Sequence, residues 1–159
     1  MPIPRRLFFL GSALVTVAAD LSTKRFFFQE PPLYLPPWGG IFSLVQHKNM
    51  GAVFNLPVPL PALLAFSGLF VFVLLGFILP RLGSLRARFV VFSGIMLGGA
   101  LGNLYDRLTL GYVRDWMLLL GRSAFNLADA AIIVGCLGMA FLDQNAPGQI
   151  QASVERDVP

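Results

Sequence analysis

Two short polar strings lie against the ends of strongly apolar segments in this chain. They cover residues 102–107 and 125–130; Asp115 lies between them, and the second contains Asp129. The whole sequence has only eight acidic residues. Because an ionisable group near hydrocarbon is costly unless it is paired or hydrated, carboxylates in these places are candidate functional groups.

Two carboxylates held at short range can act together as an acid and a base. They cannot both ionise easily, so one keeps a proton to donate while the other accepts a proton from water. Such a pair hydrolyses amides without a metal ion or a covalent intermediate. Spacing alone leaves a second interpretation open, in which Asp115 and Asp129 are separate helix caps or partners of Arg107 and Arg114.

The composition indicates an all-α integral membrane protein. Of the 159 residues, 56% are hydrophobic and 13% are charged, which is too apolar for a soluble domain of this size. The net charge of +4 comes mainly from arginines near segment ends, and no basic stripe interleaved with aromatic residues suggests a nucleic-acid partner.

Four segments approach the roughly 20 residues that a helix needs to span a bilayer. We predict helices over 7–27, 60–79, 89–106 and 123–142 within a membrane domain of residues 1–143, followed by a disordered cytoplasmic tail over 144–159. The loop over 28–59 contains strand formers at 41–45 and 52–54, which predict a small β-sheet on the membrane.

The arginines predict the topology. Arg5 and Arg6 precede the first helix, and Arg81, Arg86 and Arg88 lie between the second and third. By the positive-inside rule both termini are cytoplasmic, so the polar motifs lie at the outer face. The first segment also resembles a cleaved signal peptide, but Asp20 and Lys24 argue against cleavage.

Several polar residues can support the candidate pair. Asp20 and Lys24 share a helix face and can form an ion pair, so we expect Lys24 to affect stability more than rate. Asn103 and Arg107 can grip peptide carbonyls or a lipid ester, although Arg107 could instead reach to head groups. Asn126 can hydrogen-bond across the pair or cap a helix.

Two further features of the sequence concern its glycines and its scarcity of metal-binding histidine and cysteine. Gly98, Gly99 and Gly102 keep one helix thin, so that a neighbouring or substrate helix can approach its backbone. His47 and Cys136 are the only histidine and the only cysteine, which cannot build a typical protein metal site, and we expect no cofactor.

Five blocks in order resemble the lipoprotein signal peptidase family, the bacterial signal peptidase II. The resemblance runs from about residue 7 to 142. Its blocks are DLSTK at 20–24, NMGAVF at 49–54, GGALGNLYDR at 98–107, GYVRDW at 111–116 and FNLAD at 125–129.

The resemblance implies a four-helix aspartyl endopeptidase of the bacterial inner membrane that acts near the outer face. Its substrates would be prolipoproteins, cut before a diacylglyceryl-modified cysteine, and the enzyme would be a monomer among membrane lipids. The family's catalytic aspartates fall on Asp115 and Asp129. Its supporting residues fall on Asp20, Lys24, Asn49, Gly99, Asn103, Arg107, Asn126 and Ala128.

Two other classes compete with a membrane peptidase. A small transporter or proton-relay protein could use Asp20, Asp115 and Asp129 to pass ions, but a relay usually distributes its acids through the membrane depth. An assembly or scaffold protein would leave the polar motifs unexplained.

Overall fold

The computed structural model describes residues 4–29, 41–51 and 56–141. The described residues form four α-helices and one three-stranded sheet. In chain order the elements are α1 Arg5–Phe27, β1 Phe42–Asn49, α2 Leu60–Ile78, α3 Ala87–Leu110, β2 Val113–Leu119, β3 Ser123–Phe125 and α4 Leu127–Phe141. The predicted tail over 144–159 lies outside the described residues.

Three of these helices are long and apolar enough to cross a membrane. They are α1, α3, and α2 with the 3₁₀ turn Leu79–Arg81 that continues it. The fourth helix is apolar but has only 15 described residues. Our predicted start for it, residue 123, is wrong, because residues 123–125 pair with β2 and the helix begins at Leu127.

Helix α3 lies at the centre of the bundle and packs mainly against α1 and α4. Small residues allow this close packing. A Cβ built at Gly98 would lie 2.6 Å from the carbonyl oxygen of Ala13 in α1, and one built at Gly99 would lie 2.5 Å from that of Ala128 in α4. The three helices are therefore held at distances that larger side chains would prevent.

The start of α1 meets the connection between α2 and α3, since the Arg5 guanidinium donates to the carbonyl of Gly83. Helix α2 contacts mainly α3, and it exposes Phe66 and Phe72 on the opposite side. Lipid-facing phenylalanines are expected on a helix in a bilayer, which is as apolar as a protein core.

The sheet is antiparallel with strand order β1-β2-β3. Asn49 pairs with Val113, and His47 pairs with Asp115, before a bulge shifts the register toward Leu44. Strand β1 confirms the small sheet that the sequence predicted around 41–45, whereas the predicted strand at 52–54 lies outside the described residues. Strands β2 and β3 were not predicted.

Two turns connect the sheet to the bundle. Gly111 ends α3 with a φ of 80°, the left-handed conformation that glycine adopts readily, and the chain enters β2 two residues later. Leu120 and Gly121 also have positive φ, and they are the two central residues of a tight turn that the Arg122 N–H closes by donating to the Leu119 carbonyl at 3.0 Å. Strand β3 then leads directly into α4. Asp115 therefore follows a short connection from α3, and Asp129 follows a short connection from β3.

Candidate active site

Asp115 and Asp129 converge on one residue, Asn126. Asp115 is the third residue of β2 and is fully buried, and Asp129 is the third residue of α4. The Asn126 side-chain amide donates to Asp115 Oδ1 at 2.6 Å, and the Asn126 backbone N–H donates to Asp129 Oδ2 at 3.2 Å. The end of the β2–β3 hairpin and the start of α4 therefore hold both carboxyl groups against the same short segment.

Asn126 also caps α4. Its Oδ1 accepts a hydrogen bond from the backbone N–H of Asp129 at 3.0 Å. The sequence left two roles open for this residue, a hydrogen bond across the pair and a helix cap, and both are present. A capped helix start gives Asp129 a defined position, because the first turn of a helix otherwise has unsatisfied N–H groups.

Two more amides complete the surroundings of the pair. Asn49 Nδ2 donates to Asp115 Oδ2 at 3.0 Å, and Asn103 Nδ2 donates to Asp129 Oδ1 at 2.8 Å. Every oxygen of the two carboxyl groups thus accepts a hydrogen bond from an asparagine. Amide donors favour the ionised form of a carboxyl group without adding a charge to the site.

The environment of Asp115 raises its pKa to about 6, well above the ordinary value. The main cause is burial, which disfavours the charged form, and the nearby charge of Asp129 acts in the same direction. The hydrogen bonds from Asn49 and Asn126 oppose this rise. A carboxyl group with such a pKa can hold or release a proton near neutral pH.

A buried ionic cluster lies next to the amides. Lys24 is fully buried, and its ammonium lies 2.7 Å from Asp20 Oδ2 and 3.3 Å from Asp106 Oδ2, which confirms the predicted pairing with Asp20. The ammonium also donates to Asn103 Oδ1 at 2.9 Å. Arg114 Nη2 lies 2.7 Å from Asp106 Oδ1, so this carboxylate joins the cluster to β2.

Asp20 connects α1 to α4. Its Oδ1 accepts the backbone N–H of Ala128 at 2.9 Å, which satisfies a donor in the first turn of α4. A Cβ at Gly102 would collide with the Asp20 carboxylate, and one at Gly99 would meet the Ala128 carbonyl. These small residues of α3 therefore allow Asp20 and Ala128 to meet.

Arg107 provides a positive charge beside the pair. It interacts electrostatically with Asp129, Asp115 and Asp106, and its Nη2 donates to the Gly51 carbonyl at 3.4 Å. Its buried Nε has no hydrogen-bond partner among the described residues. In contrast, the Asn103 amide that we expected to grip substrate with Arg107 is already bonded to Lys24, Asp129 and Asn126.

Some contacts near the site were not predicted from the sequence. Trp116 stacks on Phe27 with ring centroids 4.1 Å apart, and Gln46 donates to the Phe27 carbonyl at 2.9 Å, so the end of α1 supports the sheet. His47, which the sequence marked only as the single histidine, is the cross-strand neighbour of Asp115. The pairing of β1 with β2 produces this proximity.

Comparison with known proteins identifies the family. A family model described as signal peptidase (SPase) II matches residues 12–143. Lipoprotein signal peptidases from Pseudomonas putida and Acaryochloris marina are 34% and 35% identical to the chain; the alignments cover 85% and 86% of it, and 85% and 88% of those proteins.

The fold is also known from solved structures. A bacterial membrane enzyme determined by the in meso method at 2.3 Å resolution superposes with a TM-score of 0.73, covering 94% of this chain and 91% of the other at 18% identity. A second such structure, at 1.9 Å, gives a TM-score of 0.65. These two structures show the fold. The family model and the relatives show that the chain belongs to the signal peptidase II family and is a multi-pass membrane peptidase.

Proposed function

We propose that this chain is an aspartic-type endopeptidase that removes the signal peptide from prolipoproteins, with Asp115 and Asp129 as its catalytic pair. The cut would fall before the diacylglyceryl-modified cysteine. Membership of the signal peptidase II family and the name lipoprotein signal peptidase among its relatives support this substrate class. The same match favours a peptidase over the proton-relay alternative.

One observation carries the assignment of the pair. Asn126 donates from its side chain to Asp115 and from its backbone to Asp129, so two carboxyl groups from different elements meet at one residue. The bond from Asn126 to Asp129 also caps α4, but a cap alone would not bring Asp115 to the same residue. Arg114 pairs with Asp106 instead, which removes one structural role that the sequence had left open for Asp115.

The chemistry follows from the difference between the two environments. Asp115, with its raised pKa, is suited to hold a proton, and Asp129 to act as the base. In our proposal the water oxygen attacks the scissile carbonyl carbon while the water loses a proton to Asp129. Asp115 gives its proton to the carbonyl oxygen. The C–N bond then breaks as the proton on Asp129 passes to the leaving nitrogen and a hydroxyl group of the intermediate returns a proton to Asp115.

The remaining site residues have supporting roles in this proposal. Asn49, Asn103 and Asn126 orient the two carboxyl groups through their amides. Arg107, whose positive charge lies beside the pair, is the group best suited to bind a substrate carbonyl or ester oxygen. Asp20, Lys24, Gly99 and Ala128 hold α1, α3 and α4 together around the pair.

We further propose four membrane spans, with α4 as the fourth. Both termini would be cytoplasmic and the catalytic pair would lie near the outer face of the bacterial inner membrane, in a monomeric enzyme surrounded by lipid. The arginines at the start of α1 and between α2 and α3 support this topology, because Arg5 and Gly83 meet at one end of the bundle.

The test is cleavage of a diacylglyceryl-modified prolipoprotein by detergent-purified protein, followed by a gel shift for loss of the signal peptide. Asp115→Asn and Asp129→Asn should each abolish cleavage while the protein still folds, because each keeps the side-chain shape but removes half of the acid-base pair. Arg122→Ala, at an exposed position, is the control. Turnover by either aspartate variant, or loss of activity in EDTA that zinc restores, would refute the proposal.

A further inference from the structure

A single side chain, that of Asn103, lies between Lys24 and Asp129 of the proposed catalytic pair. Its ammonium donates to Asn103 Oδ1 at 2.9 Å, and the Nδ2 of the same amide donates to Asp129 Oδ1 at 2.8 Å. Lys24, which is fully buried, belongs to α1, and Asp129 belongs to α4. A short chain of hydrogen bonds therefore leads from α1 through α3 to a carboxyl group of the proposed pair.

The direction of the Asn103 amide decides whether this chain helps or harms the site. An asparagine side chain presents an oxygen on one side and an NH₂ group on the other. A lysine ammonium can only donate, so it requires the amide oxygen to face it. The NH₂ group must then face Asp129. With the amide reversed, two oxygen atoms would lie against each other and Asp129 would lose a donor.

Asn126 strengthens the same orientation. Its Nδ2 donates to Asn103 Oδ1 at 3.2 Å and to Asp115 Oδ1 at 2.6 Å. Two donors therefore meet the Asn103 oxygen, and of these only Lys24 carries a charge. Hydrogen bonds that involve an ionised group are about twice as strong as neutral ones, so the lysine has the larger influence on the amide.

We infer that Lys24 is a positioning residue for Asp129, because it fixes the orientation of the Asn103 amide. This rests on the proposed function and goes beyond the stabilising role that its pairing with Asp20 predicted. The ion pairs with Asp20 and Asp106 hold the ammonium in place. The oriented Asn103 amide then directs its NH₂ group at the Asp129 carboxyl group and fixes the position of that group. Among the described residues, the Lys24 ammonium bonds to Asp20, Asp106 and Asn103, and it is linked by hydrogen bonds to the pair through Asn103.

A double-mutant cycle separates positioning from simple stabilisation. Lys24→Met and Asn103→Leu are prepared singly and together, and kcat and KM are measured per folded molecule. Each single variant should lower kcat by about 10- to 100-fold, the loss typical when a residue that orients a metal ligand is removed, with little change in KM. If Lys24 acts through Asn103, the double variant should be no slower than Asn103→Leu alone.

Rescue by a conservative variant gives a second readout that a purely structural role would not change. Lys24→Arg keeps a donor for the Asn103 oxygen, whereas Lys24→Met removes it. Measured per folded molecule, Lys24→Arg should therefore retain more of the wild-type kcat than Lys24→Met. Equal losses of kcat in the two variants would count against the inference.

Removal of Lys24 alone leaves buried carboxylates without their partner and can prevent folding. In that case the combined variant Asp20→Asn/Lys24→Met replaces Lys24→Met in the cycle. It removes both charges of that ion pair, and Asp106 still has its ion pair with Arg114. Rate losses that multiply in the combined variant, or a wild-type kcat without Lys24, would overturn the inference. Activity in Asp129→Asn would instead refute the proposed function, so the two failures are distinguishable.

Discussion

Asn126 and Asp129 cap each other across the first turn of α4. The Asn126 side chain accepts the Asp129 N–H at 3.0 Å, and the Asp129 carboxyl accepts the Asn126 N–H at 3.2 Å. This reciprocal arrangement is a capping box with an aspartate in its third helical position. The Asp129 side chain thereby caps the start of α4 and also belongs to the proposed catalytic pair.

The raised pKa of Asp115 predicts a dependence of stability on pH. Its folded pKa of about 6 exceeds the unfolded value near 3.8, so its contribution to stability is present at low pH and is lost as the pH rises through 6. The difference corresponds to roughly 3 kcal/mol. The gap in melting temperature between Asp115→Asn and the wild type should therefore move in favour of the variant from pH 5 to pH 8. Placing an Asn NH₂ group against the donors Asn49 and Asn126 adds a cost that does not depend on pH.

Thermal unfolding of purified protein in detergent measures this gap. Arg122→Ala, measured at the same two pH values, shows what an exposed substitution does. A gap that is unchanged between pH 5 and pH 8, or one that moves in favour of the wild type, would contradict the prediction.

Asn49 predicts a shift in the pH dependence of activity. Its amide donates to Asp115 Oδ2 and lowers the pKa of that carboxyl group, so Asn49→Leu should raise this pKa further above 6. If Asp115 is the acid, the alkaline limb of kcat/KM moves to higher pH. Ser43→Ala, at another position on β1, is the control, and movement of the limb to lower pH would count against the assignment.

Gly99 predicts a loss of stability when its hydrogen is replaced by a methyl group. A Cβ there would lie 2.5 Å from the Ala128 carbonyl oxygen, so α4 must shift. We expect Gly99→Ala to destabilise the protein by about 1 to 3 kcal/mol and to slow cleavage, because Asp129 moves with α4.

The matched control for this change is Gly68→Ala in α2, where an added Cβ meets nothing within 4 Å. Alanine is the better helix former, so this variant should be as stable as the wild type or more stable by up to about 1 kcal/mol. Equal melting temperatures for the two alanine variants would refute the packing argument.

The proposed topology predicts which positions a membrane-impermeant thiol reagent reaches in intact spheroplasts. In a Cys136→Ser background, Arg122→Cys should be labelled from outside, and Gly83→Cys only after the membrane is opened. Both positions are exposed at the protein surface. The reverse pattern would invert the topology and place the catalytic pair at the cytoplasmic face.

The helices were predictable because long apolar segments have few alternatives in a membrane. The start of α4 was misplaced because Ala124 and Phe125 suit a helix and a strand equally well. Their conformation is decided by pairing with Leu118 and Met117, which are close in space only once the hairpin has formed. Likewise β2 was missed because an apolar run such as 116–120 does not show the alternation of a half-buried strand.

Sequence patterns could propose members of the candidate site but not the connections between them. Residue type and position made Asp115 and Asp129 candidates for a catalytic pair, and i,i+4 spacing predicted the ion pair of Asp20 and Lys24, which the structure contains. No local pattern relates Lys24 to Asn103, which lies 79 residues further along the chain. That contact depends on the close approach of α1 and α3, so it emerges only from the folded bundle.

The bond between Asp20 and the N–H of Ala128 joins residues 108 positions apart, and the helix that carries Ala128 is the last of the described helices to leave the ribosome. A growing chain that has inserted only α1, α2 and α3 lacks both Asp129 and the segment that holds Asp115 in place. If Asp115 and Asp129 are the catalytic pair, as we propose, the protease is inert during biosynthesis until α4 has been added, and the step that completes the described bundle also activates the enzyme.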